Sequence, residues 1–268
     1  MNRSSHAARP SKKVDPSLRR ATVPRMVPSF PWSQASFNDL FRGAVGEYWK
    51  GRSQQARKQK RTGGRDAGTR GEVTGGQHLN AFAHLLIQVI RAAGIPADAI
   101  HFDKPLVLPG YYRSQKKWDI VVSRDRELLA AIELKSQSGS FGNNLNNRAE
   151  EVLGLARDFW VAYREKAFGV SAPPWLGYFF HLEDAPGSRA KVGLKPSTFP
   201  PFSEFKDTSY MDRYRILCER LMLEREYNAT ALVVSTRGTK DGAFEEPSPA
   251  LSAYRFALSL FNHLRNGV

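Results

Sequence analysis

Cysteine is nearly absent from this chain. Cys218 stands alone among 268 residues, which leaves no partner for an intramolecular disulfide and excludes a cysteine-rich zinc site. It falls in the helical stretch RYRILCERLMLE, where a buried thiol is expected, and a reducing cytoplasm fits such usage. No apolar run approaches the roughly 18 to 20 residues of a membrane-spanning helix. No apolar signal-peptide region precedes a cleavage site either, so a cytoplasmic chain with no membrane-embedded part is expected. The histidines (His6, His78, His84, His101, His181, His263) show no H-x-E or H-E-x-x-H spacing, which disfavours a zinc hydrolase or a histidine-based nuclease. His84, on an apolar helix, reads as a core residue. The glycine-rich VTGGQHLN lacks the G-K-[ST] of a phosphate-binding loop, although its backbone could still touch phosphate.

Acidic residues are also scarce. Forty Lys and Arg face 26 Asp and Glu, a net charge of +14, and a polyanionic partner is the natural counterpart of such an excess. The charge is concentrated: residues 1–72 hold 16 basic and 5 acidic side chains, leaving only +3 for the other 196. Such a field steers association with phosphate and makes binding salt-dependent.

Residues 1–35 combine seven basic groups, one acid and several prolines, a composition that buries too little surface to order and reads as a disordered basic tail. Residues 36–268 read as one domain, with a helical region over about 36–95 and an α/β core over about 96–268. Phe37, Leu40, Phe41, Ala44, Val45, Tyr48 and Trp49 follow helical spacing to about Lys60. The stretch TGGRDAGTRGEVTGG breaks that helix. GQHLNAFAHLLIQVIRAAG predicts a second one ending at Gly94, with Leu79, Phe82, Ala83, Leu86, Val89 and Ile90 on its packed face. Apolar runs follow at 106–108, 118–122 and 129–134. The short polar link between the last two predicts an antiparallel hairpin. After a polar loop, SQSGSFGNN, a long helix over about 146–167 is expected, with Val152, Ala156, Phe159, Trp160 and Tyr163 on one side. WLGYFFHL and ATALVVST are nearly continuous apolar runs separated by a helix over about 210–227. They predict parallel strands buried on both faces. A last helix covers about 249–265. The sum is an α/β fold with a central mixed sheet flanked by helices.

Within KKWDIVVSRDRELLAAIELKSQ, Asp119 falls in one strand of the predicted hairpin, and Glu133 and Lys135 fall in the next. Alternation puts Glu133 and Lys135 on one face and Ile132 and Leu134 on the other. If Asp119 opposes them, two carboxylates and an ammonium converge. Phosphodiester hydrolysis uses such a cluster, because hard oxygen ligands hold Mg²⁺ and a cation positions water or stabilises charge. On this reading Asp119, Glu133 and the carbonyl of Leu134 hold the metal, and Lys135 orients water or stabilises the transition state. The spacing alone also fits a solvated ion pair, but its apolar surroundings, Ala131, Ile132 and Leu134, call for a partner or a metal. Asn143, Asn144, Asn146 and Asn147 crowd the expected helix start ahead of Arg148. One can be a cap. The others, with Arg148 and with Lys116 and Lys117 beside Asp119, are candidates for DNA contact, since amides pair with adenine and arginine with guanine. Glu150 and Glu151 read as first-turn residues facing the helix dipole. Glu47 is left open as a further metal ligand or an ion-pair partner.

At RGEVTGGQHLNAF, LPGYYRSQKKWDIVV, AAIELKSQSGSFGNNLNNRAEEVLG and DFWVAYREKAFG, the chain resembles the PD-(D/E)XK nucleases, and more narrowly type II restriction endonucleases of the XhoI type. The likeness runs from about Phe37 through the last helix. It implies a restriction-endonuclease-like core and a homodimer that cuts double-stranded DNA within the palindrome CTCGAG. The same likeness implies Mg²⁺ as cofactor, 5′ overhangs, and a methyltransferase in the same system that is not a stable subunit. Asp119, Glu133 and Lys135 fall on the superfamily's motif positions. Trp118 stands where a proline often precedes the aspartate, a position that varies. The basic tail has no counterpart in the resemblance. Two alternatives stay open: a repair or junction-resolving nuclease of the same superfamily, and a DNA-binding module that keeps the fold without catalysis.

Overall fold

The computed structural model describes residues 29–61, 77–239 and 241–266. The expected basic tail and the glycine-rich break at 62–76 fall largely or wholly outside these. Among the described residues no helix is long and apolar enough to cross a membrane.

The first helix, α1, spans Gln34–Arg61, and the second, α2, spans Asn80–Ala92 and ends ahead of Gly94, whose φ of +91° suits a residue without Cβ. After α2 come β1 (Ile100–His101), β2 (Val107–Pro109), β3 (Gln115–Lys117), β4 (Ile120–Arg124) and β5 (Glu127–Gln137). Helix α3 (Phe141–Arg164) leads into β6 (Trp175–Asp184), α4 (Tyr210–Leu223), β7 (Ala229–Thr236) and finally α5 (Ala253–Asn266). The main sheet runs β1-β4-β5-β6-β7; β2 and β3 form a separate two-stranded hairpin. The neighbours β1, β4 and β5 are antiparallel, while β5, β6 and β7 are parallel. The mixed α/β sheet is thus as read from the sequence.

The hairpin β4–β5 closes on Asp125 and Arg126, with φ of +51° and +66°. Positive φ at both central residues is the two-residue turn whose twist matches that of the flanking strands. β6 and β7 are buried along nearly their whole length, as strands covered on both faces must be. One face packs on α1, α2 and α5 through residues such as Phe41, Phe82, Ile132, Leu134 and Phe256. The other packs on α3 and α4 through Val152, Ala156, Phe159, Ala131, Tyr178 and Tyr214. Cys218 is buried in this second layer.

Three local expectations are corrected. Helix α3 starts at Phe141, five residues before the expected Asn146, because Gly139 (φ +71°) and Ser140 (φ +47°) reverse the chain and Phe141 buries beside Tyr210. Glu150 and Glu151 therefore lie in the third turn, away from the N-terminal dipole. His84 is exposed, not core, on the rim of α2, with its ring edge toward Phe102.

Candidate active site

Asp119 lies one residue before β4 and not within it, because its carboxylate takes the place of a backbone partner: Leu134 N donates to Asp119 Oδ2 at 2.7 Å. The ladder pairs Ile120 with Ile132, so continuing the register puts Asp119 level with Glu133. Glu133 and Lys135 share the α3 face of β5, and Lys135 Nζ lies 2.6 Å from Glu133 Oε1. Glu133 is only 2% exposed, so its charge must be met locally. It is met twice, since Lys116 Nζ also reaches Glu133 Oε2 at 3.0 Å.

Asp119 is less well served. Burial, and then the nearby Glu133 charge, push its carboxyl up to about 6 against the pull of the Leu134 amide and the two lysines. Lys135 goes the other way: burial works against its charge, but Glu133 and Glu151 outweigh that and raise its pKa. Lys135 is therefore an ammonium at neutral pH, a donor and not a base.

Glu151 is the residue that sequence reasoning missed. It reaches Lys135 Nζ at 3.2 Å from α3 and also pairs with Arg148. Burial opposes its ionisation, yet Lys135 and Arg148 hold its pKa below the ordinary carboxylate value. Lys135 is thus held between two carboxylates from two elements, which fixes its direction. Its sequence signal was the three-residue step from Arg148, legible only once the helix start is known.

The other expected residues are placed as follows. Lys116 turns inward to Glu133, whereas Lys117 is exposed. Arg148 is committed to Glu151. None of the four asparagines caps α3: Ser140 holds that position without a side-chain bond, and Asn144 Nδ2 donates back to the Ser140 carbonyl at 2.9 Å. Asn143, Asn146 and Asn147 are exposed; Asn143 and Asn147 lie one turn apart, and Asn146 also lines a cavity with Leu153, Ile216 and Leu217 toward α4. Glu47 pairs with Lys50 at 2.7 Å on the exposed side of α1. Among the described residues no third His, Cys, Asp or Glu closes on a metal position with Asp119 and Glu133.

A helix-flanked mixed sheet, with two carboxylates and a lysine gathered at its antiparallel hairpin, defines a restriction-endonuclease-like nuclease core. A family model described as restriction endonuclease XhoI matches residues 58–246. The type II restriction enzyme BstVI of Geobacillus stearothermophilus is 44% identical over 76% of this chain and 95% of its own length. The type II restriction enzyme XhoI of Xanthomonas vasicola is 40% identical over 71% of this chain and 77% of its own. AbrI of Azospirillum brasilense, also a type II restriction enzyme, is 42% identical over 63% and 75%. No solved structure matches the chain. The chain belongs to the XhoI restriction endonuclease family and is, like these relatives, a type II site-specific deoxyribonuclease.

The family implies a divalent cation, and the donor set fits one. Asp119 is a half-buried carboxylate whose one hydrogen bond among the described residues comes from an amide, and burial, with the charge of Glu133 beside it, disfavours its ionised form, a cost that a cation placed there would offset. Hard oxygen donors of this kind suit Mg²⁺.

Proposed function

We propose that this chain cuts both strands of double-stranded DNA within the palindrome CTCGAG, leaving 5′ overhangs, as a cytoplasmic homodimer that uses Mg²⁺. It would be paired with a methyltransferase that is not a stable subunit. Residues 36–268 would form the nuclease unit. The observation that carries the chemistry is the Leu134 N to Asp119 Oδ2 bond, which holds Asp119 beside the strand segment that bears Glu133 and Lys135. The palindrome is supported by family membership alone.

Asp119, Glu133 and the Leu134 carbonyl would hold Mg²⁺. A strand residue's N–H and C=O leave the same edge, so that carbonyl turns toward Asp119 as its amide does. When bound, the cation offsets charge on the phosphate and makes water more acidic. Lys135, kept charged and held by Glu133 and Glu151, orients the attacking water or donates to the phosphate oxygen as charge develops. Asn143, Asn144, Asn146, Asn147, Arg148, Lys116 and Lys117 remain the proposed DNA contacts. Asn143, Asn146, Asn147 and Lys117 are exposed, while Lys116 and Arg148 would meet DNA from their ion pairs with Glu133 and Glu151.

The test is a digest of plasmid DNA with and without Mg²⁺, followed by end sequencing. Discrete fragments ending at one hexamer are expected. Smears, or preference for branched DNA, would transfer the chain to a repair role. The pH dependence follows from Asp119. Its folded pKa lies above the ordinary value, so the metal-free fold retains this proton up to about pH 6, and a cation must displace it below that pH. The Mg²⁺ concentration for half-maximal cutting is expected to rise about tenfold per unit below pH 6. A flat requirement between pH 7 and 5 would remove Asp119 as a ligand.

A further inference from the structure

The tip of the β2–β3 hairpin, residues 110–114, is built with more care than an exposed loop requires. Tyr111 and Tyr112 are 55% and 65% exposed, with ring centroids 5.0 Å apart. Beneath them, Asp158 of α3 is 3% exposed. Its Oδ1 accepts from both Tyr111 N and Tyr112 N at 2.8 Å, and its Oδ2 lies 2.9 Å from Arg113 Nε. Gly110 completes the fit, since a Cβ there would stand 2.6 Å from Asp158 Oδ2 and 2.8 Å from the Arg113 carbonyl oxygen. Burying a carboxylate is unfavourable, and the two rings bury too little apolar surface to offset it. The clamp presents the rings instead of packing them.

The hairpin's base adjoins the candidate active site, where Lys116 reaches Glu133 and Asp119 follows two residues after β3. Glu151 and Asp158 are seven residues apart on α3, two turns along one face, or about 10 Å. One strand of duplex DNA advances about 3.4 Å per base pair, so the helix rise between the residues that hold Lys135 and the tip corresponds to about three base-pair steps. The hairpin from Val107 to Lys117 contains Arg113, Lys116 and Lys117 and no acid; Arg113 and Lys116 are met by Asp158 and Glu133, and the exposed Lys117 is available to a phosphate.

We propose that this tip is a DNA-contacting finger: Tyr111 and Tyr112 pack on the sugars and groove-facing base edges of the duplex beside the cut phosphate, and Asp158 is the positioning residue that aims them. The proposal rests on the nuclease reading of the adjoining site.

The experiment is steady-state cleavage of a duplex carrying the hexamer, over a salt series, with the full chain. Y111A/Y112A is expected to raise KM about tenfold or more, to leave kcat within about threefold and to leave the unfolding midpoint unchanged. Uncharged ring contacts release no counterions, so the slope of log KM against log salt stays at the wild-type value, whereas K117A lowers it by about 0.9. D158A reproduces the KM rise without touching DNA, and D158N, which keeps the acceptor for both amides, restores most of it. Wild-type KM in Y111A/Y112A overturns the proposal. So does a loss that sedimentation traces to subunit dissociation, which would give the rings to a second copy. If the wild-type chain cuts at one hexamer while the tyrosine variant is unaffected, only the finger fails. If the wild-type chain does not cut, the nuclease reading fails first.

Discussion

Lys135→Ala is expected to lower DNA cutting in Mg²⁺ by about a hundred- to a thousandfold while leaving DNA binding largely in place. Removing a single preorganised donor aimed at developing charge typically costs a hundred- to a thousandfold, and Lys135 is held by carboxylates from both β5 and α3. The fold should tolerate the change, because Glu133 keeps Lys116 as a partner. Asp119→Asn should be as damaging to cutting, since an amide preserves the shape and can still accept from Leu134 N but contributes no charge to a cation. Its stability moves the other way. Burial and Glu133 disfavour the ionised carboxylate, and above about pH 6 the metal-free fold carries that unfavourable charge. At pH 8 metal-free Asp119→Asn is therefore expected to be as stable as the parent chain or more so. Glu151→Gln, which loosens Lys135 without removing it, should cost about tenfold. Timed digests and thermal unfolding with EDTA check all three; undiminished cleavage in Lys135→Ala or Asp119→Asn would falsify the catalytic assignment.

Asn143→Ala/Asn147→Ala is expected to reduce the preference for cognate over noncognate duplex by about a hundredfold. A good amide-to-base pair is worth about 1–3 kcal/mol of discrimination, and these two exposed side chains lie one turn apart on α3. Because they are exposed, the unfolding midpoint should hardly move. Asn146→Ala, which is exposed but also lines the cavity toward α4, should reduce discrimination less than the double variant. Competition binding with one altered base pair at a time reads this out. Undiminished preference in the double variant, or a matching loss of folding, would sink the assignment of Asn143 and Asn147 as readers.

The mixed sheet and the placement of Asp119, Glu133 and Lys135 were legible in the chain for a local reason. The three residues lie within 17 positions, joined by a two-residue turn, so strand alternation alone brings Glu133 and Lys135 to one face. WLGYFFHL and ATALVVST announced themselves as buried parallel strands because both faces are covered. Helix α3 was harder. Its phase depends on Gly139 and Ser140 turning left-handed and on Phe141 finding a buried place beside Tyr210. Both depend on the rest of the fold. An error of five residues at that start hid Glu151 and scattered the four asparagines onto different faces.

Charge, apolar period and the hairpin were thus determined by the sequence itself, since each depends on neighbours a few residues away. The concentrated basic charge and the Asp119, Glu133, Lys135 spacing belong to that set. Only the tertiary structure decided which charges meet across elements. It turned Lys116 inward to Glu133, carried Glu151 from α3 to Lys135, and buried Asp158 beneath the Tyr111–Tyr112 tip. These pairings join residues 16 to 47 positions apart, and a desolvated charge takes whichever partner the packing brings within reach.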